Sequence, residues 1–236
     1  MIEPLVLIPS MMCDARVFYA QLASLSADIP ITFAPITGGE RMEELASQIL
    51  TWLPAKFALA GMGMGGMVAM EILRRAPERV TRVAFIATNA QSDTLEIAAL
   101  REPNIIAAKS GRLDDAMQSE VNSAWLSPGP YRMDVVSLLS EMAQALGPDV
   151  YVRQSRAMQR RKDQQNIMRR IKQPALVMCG DHDGQNTQRR HEFMAELIPY
   201  AKLEVIPNAG HVPTLENPDA VTEALRTWMR QPLVLR

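Results

Sequence analysis

Cysteine is scarce: the 236 residues hold only Cys13 and Cys179. Two thiols cannot build a disulfide framework, and such sparing use suits a reducing compartment. A surplus of either charge is missing too. Twenty-five Lys+Arg stand against 26 Asp+Glu, a net charge of -1, which gives no general attraction to nucleic acid or to an anionic membrane. No apolar run reaches the roughly 18 residues of a membrane span, and Met1-Ile2-Glu3-Pro4 does not read as a signal peptide. Internal repeats and low-complexity segments are also lacking. These absences describe a cytoplasmic globular protein with neither a nucleic-acid nor a membrane partner. The length fits one domain, or one with a small insertion, at about 100–200 residues per domain. A hydrophobic share of 47% is that of an ordinary globular chain.

What the sequence does hold is a regular alternation. Leu5-Val6-Leu7-Ile8, Ile31 to Ala34, Phe57 to Ala60, Val80 to Ala87, Ala175 to Cys179 and Lys202 to Ile206 are six short apolar runs. Helical patterns separate them, at about residues 15–26, 41–52, 65–75, 187–198 and 217–230. Asp14 is placed to accept the first free N–H groups of the first helix. Met42, Leu45, Ile49 and Trp52 form the apolar stripe of the second. Buried strands alternating with helices imply a mostly parallel sheet covered on both faces. Residues 91–165 break the rhythm with helical patterns and no clear strand, so they read as a helical cap inserted into a core of residues 1–90 and 166–236. The basic run from Arg153 to Lys172 reads as a solvated helix face with Met158, Ile167 and Ile171 turned inward; an anion- or partner-binding patch is the alternative.

The third strand runs directly into Gly61-Met62-Gly63-Met64-Gly65-Gly66. Gly61, Gly63 and Gly66 match the dinucleotide fingerprint G-x-G-x-x-G, but that motif wants an acid about 20 residues on, at the end of the next strand. That strand ends Ile86-Ala87-Thr88-Asn89, with no acid. The same segment matches the nucleophile elbow G-x-S-x-G except that position 63 is Gly. The elbow expects an acid and then a histidine downstream, and both are there. Gly180-Asp181-His182-Asp183 follows the fifth strand, and Gly210-His211-Val212-Pro213, with Glu216 close behind, follows the sixth.

With these residues, and Leu7 to Met12 at the end of the first strand, the chain resembles the α/β-hydrolase superfamily, in its compact esterase-like branch. The resemblance implies six strands in the order 2-1-3-4-5-6, with the cap over their carboxyl ends. It implies residue 63 as the nucleophile position, His211 as general base and Asp183 as the carboxylate orienting it, with Asp181 as the runner-up acid. The backbone N–H groups of Met11 and Met64 would form the oxyanion hole. Ser10 and Met12 would touch the substrate, a small molecule, and no cofactor is called for.

Two residues depart from the family pattern. Gly63 has no hydroxyl, so an acyl-enzyme cannot form there, and the chain is expected to be inactive or altered by the serine route. Glycine suits the strained turn, because it takes positive φ without penalty. Ser10 stands where the family commonly has Gly. Its hydroxyl could donate to an oxyanion, hold a water or narrow the pocket. As a substitute nucleophile it is disfavoured, since oxyanion loops face the carbonyl oxygen. Three functions follow: a hydrolase of small esters, lactones or related acyl compounds whose serine is lost naturally or by inactivation; a ligand-binding pseudohydrolase; and a lyase or isomerase using His211 and Asp183 for proton transfer.

Other residues read more plainly. Cys13 is a small buried hydrophobe rather than a reactive thiol, and Cys179 belongs to the core. His182 is an exposed loop residue, and His191, among Arg189, Arg190 and Glu192, reads as surface. Asp181, His182 and Asp183 lack the further converging ligands of a zinc site, so no metal is expected. Several of the sixteen methionines fall near the proposed site, where they would give a soft, adaptable apolar pocket.

Overall fold

Six short strands lie side by side in a computed structural model that describes residues 3–233; Met1 and Ile2, part of the N-terminal stretch considered above, lie outside them. The strands are β1 (Leu5–Ile8), β2 (Ile31–Phe33), β3 (Phe57–Met62), β4 (Val80–Ile86), β5 (Ala175–Gly180) and β6 (Ala201–Ile206). Their order is β2-β1-β3-β4-β5-β6, and every neighbouring pair is parallel. Alternate side chains serve opposite faces. Val6, Ile8, Leu59, Val83, Phe85 and Val177 belong to one core. Leu5, Leu7, Ala58, Ala60, Ala84 and Met178 belong to the other. Both faces are covered, which is why the strands read as unbroken apolar runs.

The covering helices come in chain order. They are α1 (Tyr19–Leu25), α2 (Met42–Leu50), α3 (Met64–Arg75), α4 (Leu95–Ala99), α5 (Arg101–Lys109) and α6 (Leu113–Met117). After them come α7 (Arg132–Leu146), α8 (Pro148–Gln159), α9 (Gln165–Met168), α10 (Gln188–Leu197), α11 (Pro213–Glu216) and α12 (Pro218–Met229). Helices α2, α3 and α10 carry the first core, and α1 and α12 the second. Between β4 and β5 there are only helices. Ala107, Leu113, Met117 and Tyr151, from α5, α6 and α8, form a third cluster that also takes in Met12 from the loop after β1. No helix among the described residues is long and apolar enough to cross a membrane.

Three local readings change. The first helix opens as a 3-10 turn, Ala15–Phe18, and Asp14 caps it by accepting the Arg16 N–H at 2.9 Å. Helix α2 stops at Leu50, so Trp52 leaves the stripe and is 49% exposed, while Met42, Leu45 and Ile49 are buried. Strand β4 stops at Ile86 because Ala87 turns to φ +46°. The basic run is largely engaged: Arg160 pairs with Glu40 at 2.9 Å, Arg161 with Asp93 at 2.7 Å and Lys162 with Glu43 at 2.8 Å. Met158 and Ile171 are turned inward, as expected.

Candidate functional site

The site begins where β3 becomes α3. Gly63 makes that turn at φ +52°, ψ -119°, a backbone that only glycine adopts freely. Gly65, two residues on, lies against the end of β1: a Cβ there would stand 2.5 Å from the Pro9 carbonyl oxygen and closer still to that of Ile8. Gly65 therefore serves close backbone packing between α3 and the end of β1. Thr88, just past β4, donates its hydroxyl to the Gly63 carbonyl at 2.6 Å and pins the turn from beneath.

Asp183 and His211 meet. The Asp183 carboxylate is buried in the loop after β5, where its Oδ1 accepts the N–H groups of Gln185 at 3.0 Å and Asn186 at 2.8 Å. His211 Nδ1 lies 3.1 Å from Oδ1 and 3.2 Å from Oδ2. A carboxylate can only accept, so Nδ1 carries the proton and Nε2 is left as the basic nitrogen. The loop bearing His211 is fixed from two sides. Glu216, on α11, accepts the N–H groups of Gly210 at 2.9 Å and Val212 at 2.9 Å, and that of Ser127 at 2.6 Å. The His211 N–H itself donates to the Trp125 carbonyl at 2.8 Å, and the two rings meet edge to face. Asp181 turns elsewhere. It accepts from Asn208 and Ala209 N–H at 3.1 Å and lies 2.6 Å from His182 Nδ1.

The loop after β1 supplies the opposite wall. Ser10, Met11 and Met12 line the same cavity as Gly63, Met64 and His211. The N–H groups of Met11 and Met64 donate to no other described backbone group. Met12 sits at φ +53°, and its N–H is held at 2.8 Å by Oε1 of Gln154 on α8, whose Nε2 donates to the Ile36 carbonyl at 2.9 Å. Met67, Met117, Leu139 and Met158 make the cavity mainly apolar, and an Arg101–Glu120 pair at 2.8 Å adds a neutralised polar edge. The space is small, ≈ 70 Å³.

The remaining titratable residues fall outside this arrangement. Cys13 and Cys179 are buried, and burial pushes both thiols up to about 12. His182 is exposed. His191 corrects the surface reading: it is fully buried, with Nδ1 3.2 Å from the Thr187 carbonyl and Nε2 accepting the Thr88 N–H at 3.2 Å. Its ring faces inward from α10 while its charged neighbours face out. Burial holds the ring below its ordinary pKa. The unfolded chain therefore takes a proton below about pH 6.5 that the folded chain refuses, so stability is full above that pH and declines below it. A melting temperature that falls between pH 6.5 and 5, and a shallower fall in His191→Gln, are the expected results; a flat wild-type profile would contradict them.

Gln154, Thr88 and Trp125 were not singled out in the sequence, and no local signal marks them. Each acts through a partner between 25 and 142 residues away.

Sheet order, turn and loop placement together define a class, and the family model agrees: the chain belongs to the α/β hydrolase family, whose model matches residues 13–224. Among curated proteins it is 26% identical over 211 residues to the biotin biosynthesis bifunctional protein BioHC of Teredinibacter turnerae, a match covering 80% of this chain and 36% of that one. It is 24% identical over 195 residues to the pimeloyl-[acyl-carrier protein] methyl ester esterase of Salmonella agona, covering 80% and 76%. Among solved structures, a thermophilic esterase from Thermogutta terrifontis superposes with a TM-score of 0.87 at 24% identity, over 97% of this chain and 89% of that one. The enol-lactonase of Burkholderia xenovorans LB400 gives 0.84 at 22%, over 97% and 92%.

Proposed function

We propose that this protein hydrolyses small esters, lactones or related acyl compounds. The observation that carries the reading is the Asp183–His211 contact, opening onto the cavity shared by the Gly63 turn and the N–H groups of Met11 and Met64. His211 Nε2 takes the proton of the attacking group, and Asp183 stabilises the imidazolium that forms. The Met11 and Met64 N–H groups receive the charge developing on the carbonyl oxygen. In this reading residues 91–165 are the cap over a core of 1–90 and 166–236, and Ser10 and Met12 touch the substrate. Relatives named as a methyl ester esterase and an enol-lactonase support the reaction class. Gly63 offers no hydroxyl, so the attack does not come from that position. A lyase or isomerase reading stays second, favoured by the same proton-transfer pair, which needs no elbow hydroxyl.

A cavity of ≈ 70 Å³ is far below the roughly 300–1,000 Å³ of sites for drug-sized ligands. Short acyl chains should therefore react best. With p-nitrophenyl esters, kcat/KM for acetate or butyrate is expected to exceed that for decanoate by at least about tenfold, the scale on which pockets sort methylenes. Equal rates across chain length would refute the size argument. No turnover above that of His211→Ala with any ester, from wild type or from a variant with serine restored at 63 and space made for it, would end the hydrolase reading.

A further inference from the structure

The two departures from the family pattern stand against each other in space. A Cβ built on Gly63 would lie 2.9 Å from Ser10 Cβ, 3.6 Å from Ser10 Cα and closer still to Ser10 Oγ, and these are its three nearest neighbours. Non-bonded carbons do not approach to 2.9 Å, whereas the Cα distance is an ordinary contact. Side chains at 10 and 63 therefore compete for one volume: a serine at 63 would require the Ser10 hydroxyl to turn away and its Cβ to give way, or a smaller residue at 10. The two departures from the family pattern are therefore neighbours across one cavity.

We propose that Ser10 is the nucleophile, its Oγ standing in the volume that an elbow side chain would fill. This rests on the ester-hydrolase reading above. The turns at 10–11 and 63–64 have the same chemical order, a side-chain position followed by the N–H donor, Met11 in one and Met64 in the other. Here the hydroxyl stands on the first turn and not the second, while Met11, Met64 and His211 line the same cavity. The position of Oγ favours attack from this loop over its facing the carbonyl oxygen alone.

The step balances without any further reagent. Ser10 Oγ bonds to the acyl carbon as its proton passes to His211 Nε2, and the carbonyl π pair moves onto oxygen, facing the Met11 and Met64 N–H groups. Collapse restores the carbonyl and breaks the bond to the leaving oxygen, which departs with the proton from His211. Water then attacks the acyl carbon as His211 Nε2 takes its proton; collapse breaks the bond to Ser10 Oγ, which recovers that proton from His211, and the acid is released.

The test uses the full chain, p-nitrophenyl acetate and a fluorophosphonate probe, with tryptic mapping. Ser10 falls in peptide 1–16 and residue 63 in peptide 57–74. The expected result is a probe adduct on Ser10, kept in Cys13→Ser and lost in Ser10→Ala, with turnover in Ser10→Ala down by about 10³-fold or more. The exchanged variant Ser10→Gly/Gly63→Ser should carry the adduct in peptide 57–74 instead. Turnover retained in Ser10→Ala would overturn the assignment and leave the hydrolase reading standing. So would an inert wild type beside an active exchanged variant. If both were inert and unlabelled while folded by circular dichroism, the hydrolase reading would fall, and the nucleophile with it.

Discussion

Asp183→Asn is expected to lower ester turnover by about 10⁴-fold and leave the protein folded, as loss of the orienting carboxylate does where a histidine is the base. The hydrogen bonds explain why. Asp183 Oδ1 accepts two backbone N–H groups, from Gln185 and Asn186. An asparagine keeps both only by placing its carbonyl oxygen there, which turns its NH₂ toward His211 Nδ1. That NH₂ takes the Oδ2 place, 3.2 Å from Nδ1, beside the oxygen at 3.1 Å; it donates to Nδ1 when the ring proton sits on Nε2, so the tautomer whose cavity-facing nitrogen cannot take a proton is no longer excluded. Binding should change little, so the loss belongs in kcat rather than KM. An Asp183→Asn enzyme within tenfold of wild type would show that the contact orients nothing of chemical consequence.

The second large effect concerns stability. Gly65→Ala is expected to cost more than about 3 kcal/mol, beyond the 1–3 kcal/mol of ordinary overpacking. Its Cβ would press on the carbonyl groups of Ile8 and Pro9 and on Ile8 C. All three are backbone atoms, and no rotamer change relieves them. Relief would require β1 and α3 to separate at the point where the two turns of the site meet, so activity should fall with stability. Gly129→Ala is the control: nothing lies within 4 Å of its Cβ, and denaturant midpoints should barely move. A Gly65→Ala protein as stable as wild type would mean that the two segments are less firmly apposed than described.

Strands β1, β3 and β5 were legible because each is buried on both faces and so reads as an unbroken apolar run, whereas the edge strands β2 and β6 are only half-buried. Asp183 and His211 were legible because each follows a strand end, in the chain order that elbow chemistry requires. His191 misled because its sequence neighbours are charged, yet adjacent residues on a helix point to different sides, and its own direction is inward to Thr88. Gln154 could not be read at all. Its role exists only once α8 has been laid over the loop that follows β1, 142 residues earlier in the chain. The relation between Ser10 and Gly63 was equally hidden, since no pattern along the chain tells that two loop residues compete for one volume.

Gln154 also joins two events that enzymes often keep apart. Its amide grips Met12, the neighbour of Met11, and the stretch following β2, while its helix lends Met158 to the lining of the cavity. A guest too bulky for that cavity would have to displace the helix, and displacing it would pull on the loop to which the proposed function gives the Met11 N–H donor. Admission and alignment are thereby geared together. Under the proposed function, oversized guests would then be discriminated against after admission, as complexes that form yet rarely proceed.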